Sequence, residues 1–383
     1  MEDVVTRDFI CLMCPNGCHL KLSGSRDGRT VGVEGNRCEK GLTFVRHALA
    51  GQGRGQGARI ASAGTRRIPS RATLKTLAAF WGVSFSRVRP DLLPAGSPER
   101  TLFRTVIEDR KEKLFVLEEI PPRSFPIKMR IIRTLEYLAG RGMRGIVPYL
   151  AGCDGGHVQE CGGGLWQLVP FVRGVALDRE AYLHETWRAE ALARFLNELR
   201  DKSRGLPFFA AEEFFSIKAY IFALVRQIER HRPEIVPRVR QVVGFLERGF
   251  MEIHDGLPVG FCHGDYHPLN VVWGAKDLTV VIDWEFAGMK PEIYDVANMV
   301  GCLGMERPSS LVGGLAVSFV RAMKGAGAFA EASWKHLPEF VVALRFAWLS
   351  EWLRRDDTEM IALELDYMDL LIEHQRRLRG LWL

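Results

Sequence analysis

Short strand-like runs in the first half of the chain and helix-like repeats in the second predict an α+β fold. A cysteine cluster ahead of both predicts a small metal-bound module in front of it. Three observations carry this. Apolar runs between Val83 and Pro170 are short and bounded by turn residues. Apolar residues between Glu185 and Arg377 recur every three or four positions. Cys11, Cys14 and Cys18 stand at C-x2-C-x3-C, with Cys38 further on. The 383 residues are 47% hydrophobic and 26% charged, enough for a sizeable core and two or three domains. A net charge of +6 is too mild to argue for nucleic acid, and no nucleic-acid motif stands in the chain. No apolar run is long enough for a membrane helix. Met1 to Asp8 carries three acids and no apolar core, so no signal peptide is read and a cytoplasmic protein is expected. In that compartment cysteines serve as metal ligands or buried thiols more often than as disulfides.

The expected order begins with residues 1–50. Three thiolates this close suggest a loop around a soft metal, with Cys38, inside Gly35 to Gly41, closing the site. Leu20 to Leu22 and Thr30 to Val33 read as two strands about an Asp27-Gly28 turn. So small a unit builds little core and needs a staple. A 4Fe–4S cluster, zinc and four unliganded thiols are the readings left open, the cluster first. The segment resembles a small family of four-cysteine domains. More distantly it resembles the iron–sulfur segment of molybdopterin oxidoreductases; that likeness implies a redox partner protein. Residues 51–70, rich in Gly, Gln, Arg and Ser, read as a flexible linker.

Leu74, Leu77, Ala78 and Trp81 then open an amphipathic helix. Strands are expected within Val83 to Leu93, at Leu102 to Glu108, at Leu114 to Ile120, and within Pro148 to Gln159 and Gly162 to Pro170. Pro126 to Ala139 reads as a helix with Ile127, Ile131, Leu135 and Leu138 on one face. Further helices are expected at Glu185 to Arg200, Phe214 to Ile228, Val236 to Phe250, Leu315 to Met323, Phe340 to Leu353 and Met360 to Arg377.

Chemistry concentrates in His263-Gly264-Asp265-Tyr266-His267-Pro268-Leu269-Asn270. Val259 to Cys262 reads as a strand before it; Val271 to Trp273 and Leu278 to Ile282 read as a hairpin after it. That hairpin can return Asp283 to the side of Asp265 and Asn270. Two carboxylates and an amide converging on one point call for a cation, and hard oxygens suit Mg2+. One Asp can act as base while Asn270 and Asp283 hold the metal, the division of labour in phosphoryl transfer.

The loop, the hairpin, Ile282-Asp283-Trp284-Glu285-Phe286-Ala287-Gly288 and Pro291 to Ala297 together resemble the aminoglycoside phosphotransferase and choline kinase family. The resemblance implies a two-lobed, protein-kinase-like fold, with a small β-rich lobe at 71–166 and a helical lobe at 167–383. It implies ATP and Mg2+ as cofactors and transfer of the γ-phosphate to a hydroxyl of a small-molecule acceptor. Asp265 matches the catalytic Asp, Asn270 and Asp283 the metal ligands, and Asp295 an Asp that is mainly structural. Gln167 to Phe171 matches the hinge, placing the backbone of Gln167 and Val169 at the adenine edge. The turn at 94–98 would cover the phosphates.

One position departs. Lys113 to Glu118 matches the strand that ends in a phosphate-gripping lysine or arginine, and this chain has Glu118 there. Three accounts are open: Arg104 or Lys128 substitutes, Glu118 carries a metal, or the kinase-like domain is degenerate. The last leads to the alternative of a redox or regulatory protein that only binds nucleotide or a partner. Acids between Glu351 and Asp369 could form a pocket for a cationic alcohol, although Arg354 and Arg355 sit among them.

Overall fold

The computed structural model describes residues 69–92, 101–209 and 214–383, together with the backbone of three strands near the start of the chain. Cys11, Cys14, Cys18 and Cys38, the linker through residue 68 and the turn at 94–98 lie outside the described residues.

The chain divides into two compact units. One gathers residues 1–67, 217–241 and 346–365. It contains an antiparallel meander of β1 (Val5–Ile10), β2 (His19–Gly24) and β3 (Thr30–Glu34), paired Val5 with Gly24 and Lys21 with Glu34. The strands expected at Leu20 and Thr30 are β2 and β3; β1 was not foreseen. In the same unit Glu351 is bound by Arg354 at 2.5 Å and Arg355 at 2.7 Å, and Asp356 by Arg232 at 3.0 Å. Asp357 Oδ1 accepts from Met360 N–H at 3.1 Å, and Glu364 accepts from Trp352 Nε1 at 3.2 Å. Four of the acids expected to line a pocket thus hold neighbouring arginines, a helix start and an indole.

The other unit, residues 68–216, 242–345 and 366–383, contains a sheet lobe and a helical lobe. Its sheet has the order β4 (Phe85–Val88), β5 (Phe103–Asp109), β6 (Leu114–Ile120), β8 (Gly164–Pro170), β7 (Val158–Cys161), all antiparallel. β8 runs to Pro170, so the sheet lobe extends past the boundary expected at 166. Alternation of side chains sorts the two faces. Phe115, Leu117, Trp166, Leu168 and Ile107 pack against Leu74, Leu77, Ala78 and Trp81, the residues of helix α1 (Arg71–Phe80) and its end. Arg104, Val116, Glu118 and Val169 face the other way, toward a cleft. Helix α2 (Phe125–Gly140) buries Lys128, Ile131, Ile132, Leu135 and Leu138, whereas Ile127, expected on that face, is exposed.

The helical lobe starts with α3 (Thr186–Lys202), whose Ala191, Phe195 and Leu199 are buried as the periodicity predicts. Four short strands follow, β9 (Val259–Cys262), β10 (Val271–Trp273), β11 (Leu278–Val281) and β12 (Gly288–Pro291), and then α4 (Tyr294–Glu306). β10 and β11 form the expected hairpin, while β12 pairs with β9 and sets Gly288 opposite Cys262. No helix among the described residues is long and apolar enough to cross a membrane.

Candidate active site

The loop after β9 is held from below by one carboxylate. Asp295, at the start of α4, accepts from the backbone N–H of His263 at 2.7 Å and of Gly264 at 2.8 Å. Burial raises its carboxyl to about 6, against the pull of those two N–H groups. Gly264 has φ +84°, and a Cβ there would collide with the carbonyl oxygen of Phe286, so the position requires glycine. Tyr266 is fully buried; its hydroxyl donates to the Leu192 carbonyl on α3 at 3.1 Å, and its ring stacks on Phe195. Asn298 Nδ2 donates to the Tyr266 carbonyl at 3.2 Å. The loop is therefore bound on two sides before any ligand arrives.

His263 braces the loop from within. Its Nδ1 accepts from Asp265 N–H at 3.3 Å, so its Nε2 carries the proton and donates to the Ile282 carbonyl at 3.0 Å. Burial pushes its pKa down to about 4, which keeps the ring neutral in both bonds. Ile282 N–H in turn donates to the Asn270 carbonyl at 2.9 Å. That single residue thus joins the loop to the segment entering Asp283.

Asn270 Nδ2 donates to the carbonyl of Asp265 at 2.8 Å and to its Oδ2 at 3.0 Å. These bonds orient the amide and leave Oδ1 as the atom that could coordinate a cation. Burial pushes the Asp265 carboxyl up, but His267, His263 and the Asn270 amide outweigh it and hold the group below the usual carboxylate range. His267 Nε2 lies 3.7 Å from Asp265 Oδ1. Asp283 adopts φ +69°, a left-handed conformation that Asp tolerates better than most residues. It lines the cleft together with Asn270. An amide oxygen and a carboxylate are hard donors that fit Mg2+, which draws its remaining ligands from water and phosphate. Among the described residues no cluster of three His, Cys, Asp or Glu side chains that could hold a metal ion is found.

The cleft between the sheet and this loop encloses about 570 Å³. Its apolar walls include Val116, Val169, Leu269 and Ile282, and Arg104, Glu118, Lys128, Tyr149 and Glu285 supply polar groups. Lys128 Nζ sits 2.6 Å from Glu285 Oε1. Burial alone would lower the Lys128 pKa, but Tyr149, Glu285 and Glu118 outweigh it and hold the ammonium above its ordinary value. Removal from water raises the Tyr149 phenol. Glu285 was not singled out in the sequence, although it stands two residues past Asp283.

The hinge expectation needs correction at one residue. Gln167 is fully buried within the ladder, paired with Glu118 on one side and Val158 on the other, and its side-chain amide donates to Glu118. Its backbone is not offered to a ligand. The cleft is lined by Val169, Pro170, Phe171 and Val172 instead. Glu136 is set apart on the surface with His157 at 2.8 Å.

A sequence model described as "Phosphotransferase enzyme family" matches residues 95–332. No curated protein sequence matches the chain. Solved structures share the fold. An aminoglycoside phosphotransferase from Alicyclobacillus acidocaldarius superimposes with a TM-score of 0.57 at 14% identity, covering 84% of this chain and 99% of its own. Aminoglycoside 2'-phosphotransferase-IIIa, as a GDP complex, gives 0.58 at 16%, covering 79% and 97%. The amicoumacin kinase hAmiN, in complex with AMP-PNP, Ca2+ and Ami, gives 0.56 at 13%, covering 80% and 94%. At these identities the structures speak for the kinase-like two-lobed α+β fold alone. The family match spans well over half of the residues and includes the loop, the hairpin and Asp295, and by it the chain belongs to the phosphotransferase enzyme family.

Proposed function

We propose that the chain transfers the γ-phosphoryl group of ATP to a hydroxyl of a small molecule, with Mg2+ as cofactor. The observation that carries this reading is the convergence of Asp265, Asn270 and Asp283: the amide of Asn270 holds Asp265, and the Ile282 N–H binds the Asn270 backbone beside Asp283. Asp265, kept ionised, accepts the acceptor's hydroxyl proton as its oxygen bonds to the γ-phosphorus. The bond from that phosphorus to the bridging oxygen breaks, and ADP leaves with the electron pair. Asn270 Oδ1 and the Asp283 carboxylate would hold Mg2+, which neutralises phosphate charge when bound. The apolar walls of the cleft suit a base, and the relatives' substrates make aminoglycoside-like and macrolide-like alcohols the first acceptors to try.

The test is ATP consumption with Mg2+ across a panel of small alcohols, including aminoglycosides, macrolides and choline. Stoichiometric formation of ADP and a phosphate monoester with one member supports the reading. Failure of the wild-type chain to bind ATP at all, with or without Mg2+, overturns it. Asp283→Ala should abolish the strengthening of ATP binding by Mg2+ seen in calorimetry. An equal Mg2+ dependence in that variant would remove Asp283 from the metal site.

A further inference from the structure

Arg104, Glu118 and Gln167 form one row across three neighbouring strands, since Arg104 pairs with Glu118 and Glu118 with Gln167 in register. Glu118 is buried, at 4% exposure. Its Oε1 takes Nε and Nη2 of Arg104, both at 2.5 Å, and its Oε2 takes the amide of Gln167 at 2.5 Å. Thr101 Oγ1 accepts from Arg104 Nη2 at 3.4 Å. Both oxygens of Glu118 are thus occupied by protein donors. It is arranged as an anchor and not as a metal ligand. We propose that Arg104 is the phosphate-binding cation of the cleft, and that Glu118 is the residue that positions it.

This proposal rests on the phosphotransferase reading and assigns the missing charge within it. Cross-strand neighbours on one face lie close together. A guanidinium sent from β5 therefore reaches the space that a lysine at 118 would fill from β6. Arginine has five donors in a planar fork, so it can serve a carboxylate and a phosphate together. Its side chain remains 23% exposed on the cleft. Among the described residues Lys128 is the other cation lining the cleft, but its side chain is only 3% exposed and bound to Glu285, so a phosphate would have to displace the Glu285 carboxylate. Lys128 instead ties α2 to the segment just beyond Asp283.

The experiment is calorimetry of Mg2+·ATP binding to the full chain. In Arg104→Ala/Glu118→Gln no buried carboxylate is left unpaired, and ATP should bind about tenfold or more weaker, the scale of lost charged hydrogen bonds. Arg104→Gln is read by the same criterion should the double variant fail to fold. Arg104→Lys, which keeps the charge, should recover part of the loss. Glu118→Gln alone, which leaves Arg104 its charge but loosens its anchor, should weaken ATP binding by less than the double variant does. Wild-type affinity in the double variant would overturn the proposal while leaving the phosphotransferase reading intact. If the wild-type chain binds no ATP, the underlying reading fails and this proposal with it.

Discussion

Asp265→Asn should leave the affinity for ATP near that of the wild-type chain and lower turnover by about a hundredfold or more, the range expected when a general base is lost. The substitution is close in shape. The backbone carbonyl of Asp265 still accepts from Asn270, and its N–H still donates to His263. What disappears is a carboxylate that the site keeps ionised by opposing the effect of burial. It is needed when a hydroxyl attacks and not when nucleotide docks, so the change should appear in kcat with KM for ATP little altered. Unchanged turnover would exclude Asp265 as the base.

Asp295→Ala should lower the unfolding free energy by about 2–6 kcal/mol, because it strands two buried backbone donors at roughly 1–3 kcal/mol each. The loss should appear as a lower urea midpoint at unchanged slope. A midpoint equal to wild type would show that His263 and Gly264 find other partners. The pH dependence has a second signature. Asp295, raised to about 6, holds a proton in the folded chain that the unfolded chain has lost, so its contribution is greatest in acid and falls as pH rises toward 6. His263, lowered to about 4, does the reverse: its contribution is lost as pH falls through 4 and complete above its ordinary value. The two nearly overlap and oppose one another. Asp295→Asn removes one of them, and stability should then climb more steeply between about pH 4 and 6.5 than in wild type. Parallel pH profiles would contradict that assignment.

The site was legible where its geometry is local. Asp265, Asn270 and Asp283 lie on one loop and hairpin, and a short β-branched run with a turn leaves few ways to fold back. Elsewhere the sequence underdetermined the outcome. Glu118 was visible as a departure, but its partner depended on strand register. That register is set by the turn in which Asp109 Oδ1 accepts from Lys111 and Lys113 N–H and Glu112 takes φ +60°. Gln167 reads as hinge although the strand expected over Gly162 to Pro170 already contains it; its pairing with Glu118 on one side and Val158 on the other could not be read from the sequence. The acids of residues 351–364 look like a patch when read in order. Their partners lie three or four residues away or on another helix, and charge runs are commonly settled in that way.

The bond between His263 and Ile282 spans 19 residues and that between Asn270 and Asp265 spans five, whereas Asp295 reaches back 31 and 32 residues to Gly264 and His263. Loop-closure entropy grows with span, so the contacts that gather the reacting groups are cheap to form early in folding. Asp265, Asn270 and Asp283 can meet within one loop and hairpin while the sheet lobe is still being assembled. Docking of α4 through Asp295 then locks a constellation that already exists. In such an order, damage to the strands of the sheet lobe would spoil the cleft long before it scattered Asp265, Asn270 and Asp283.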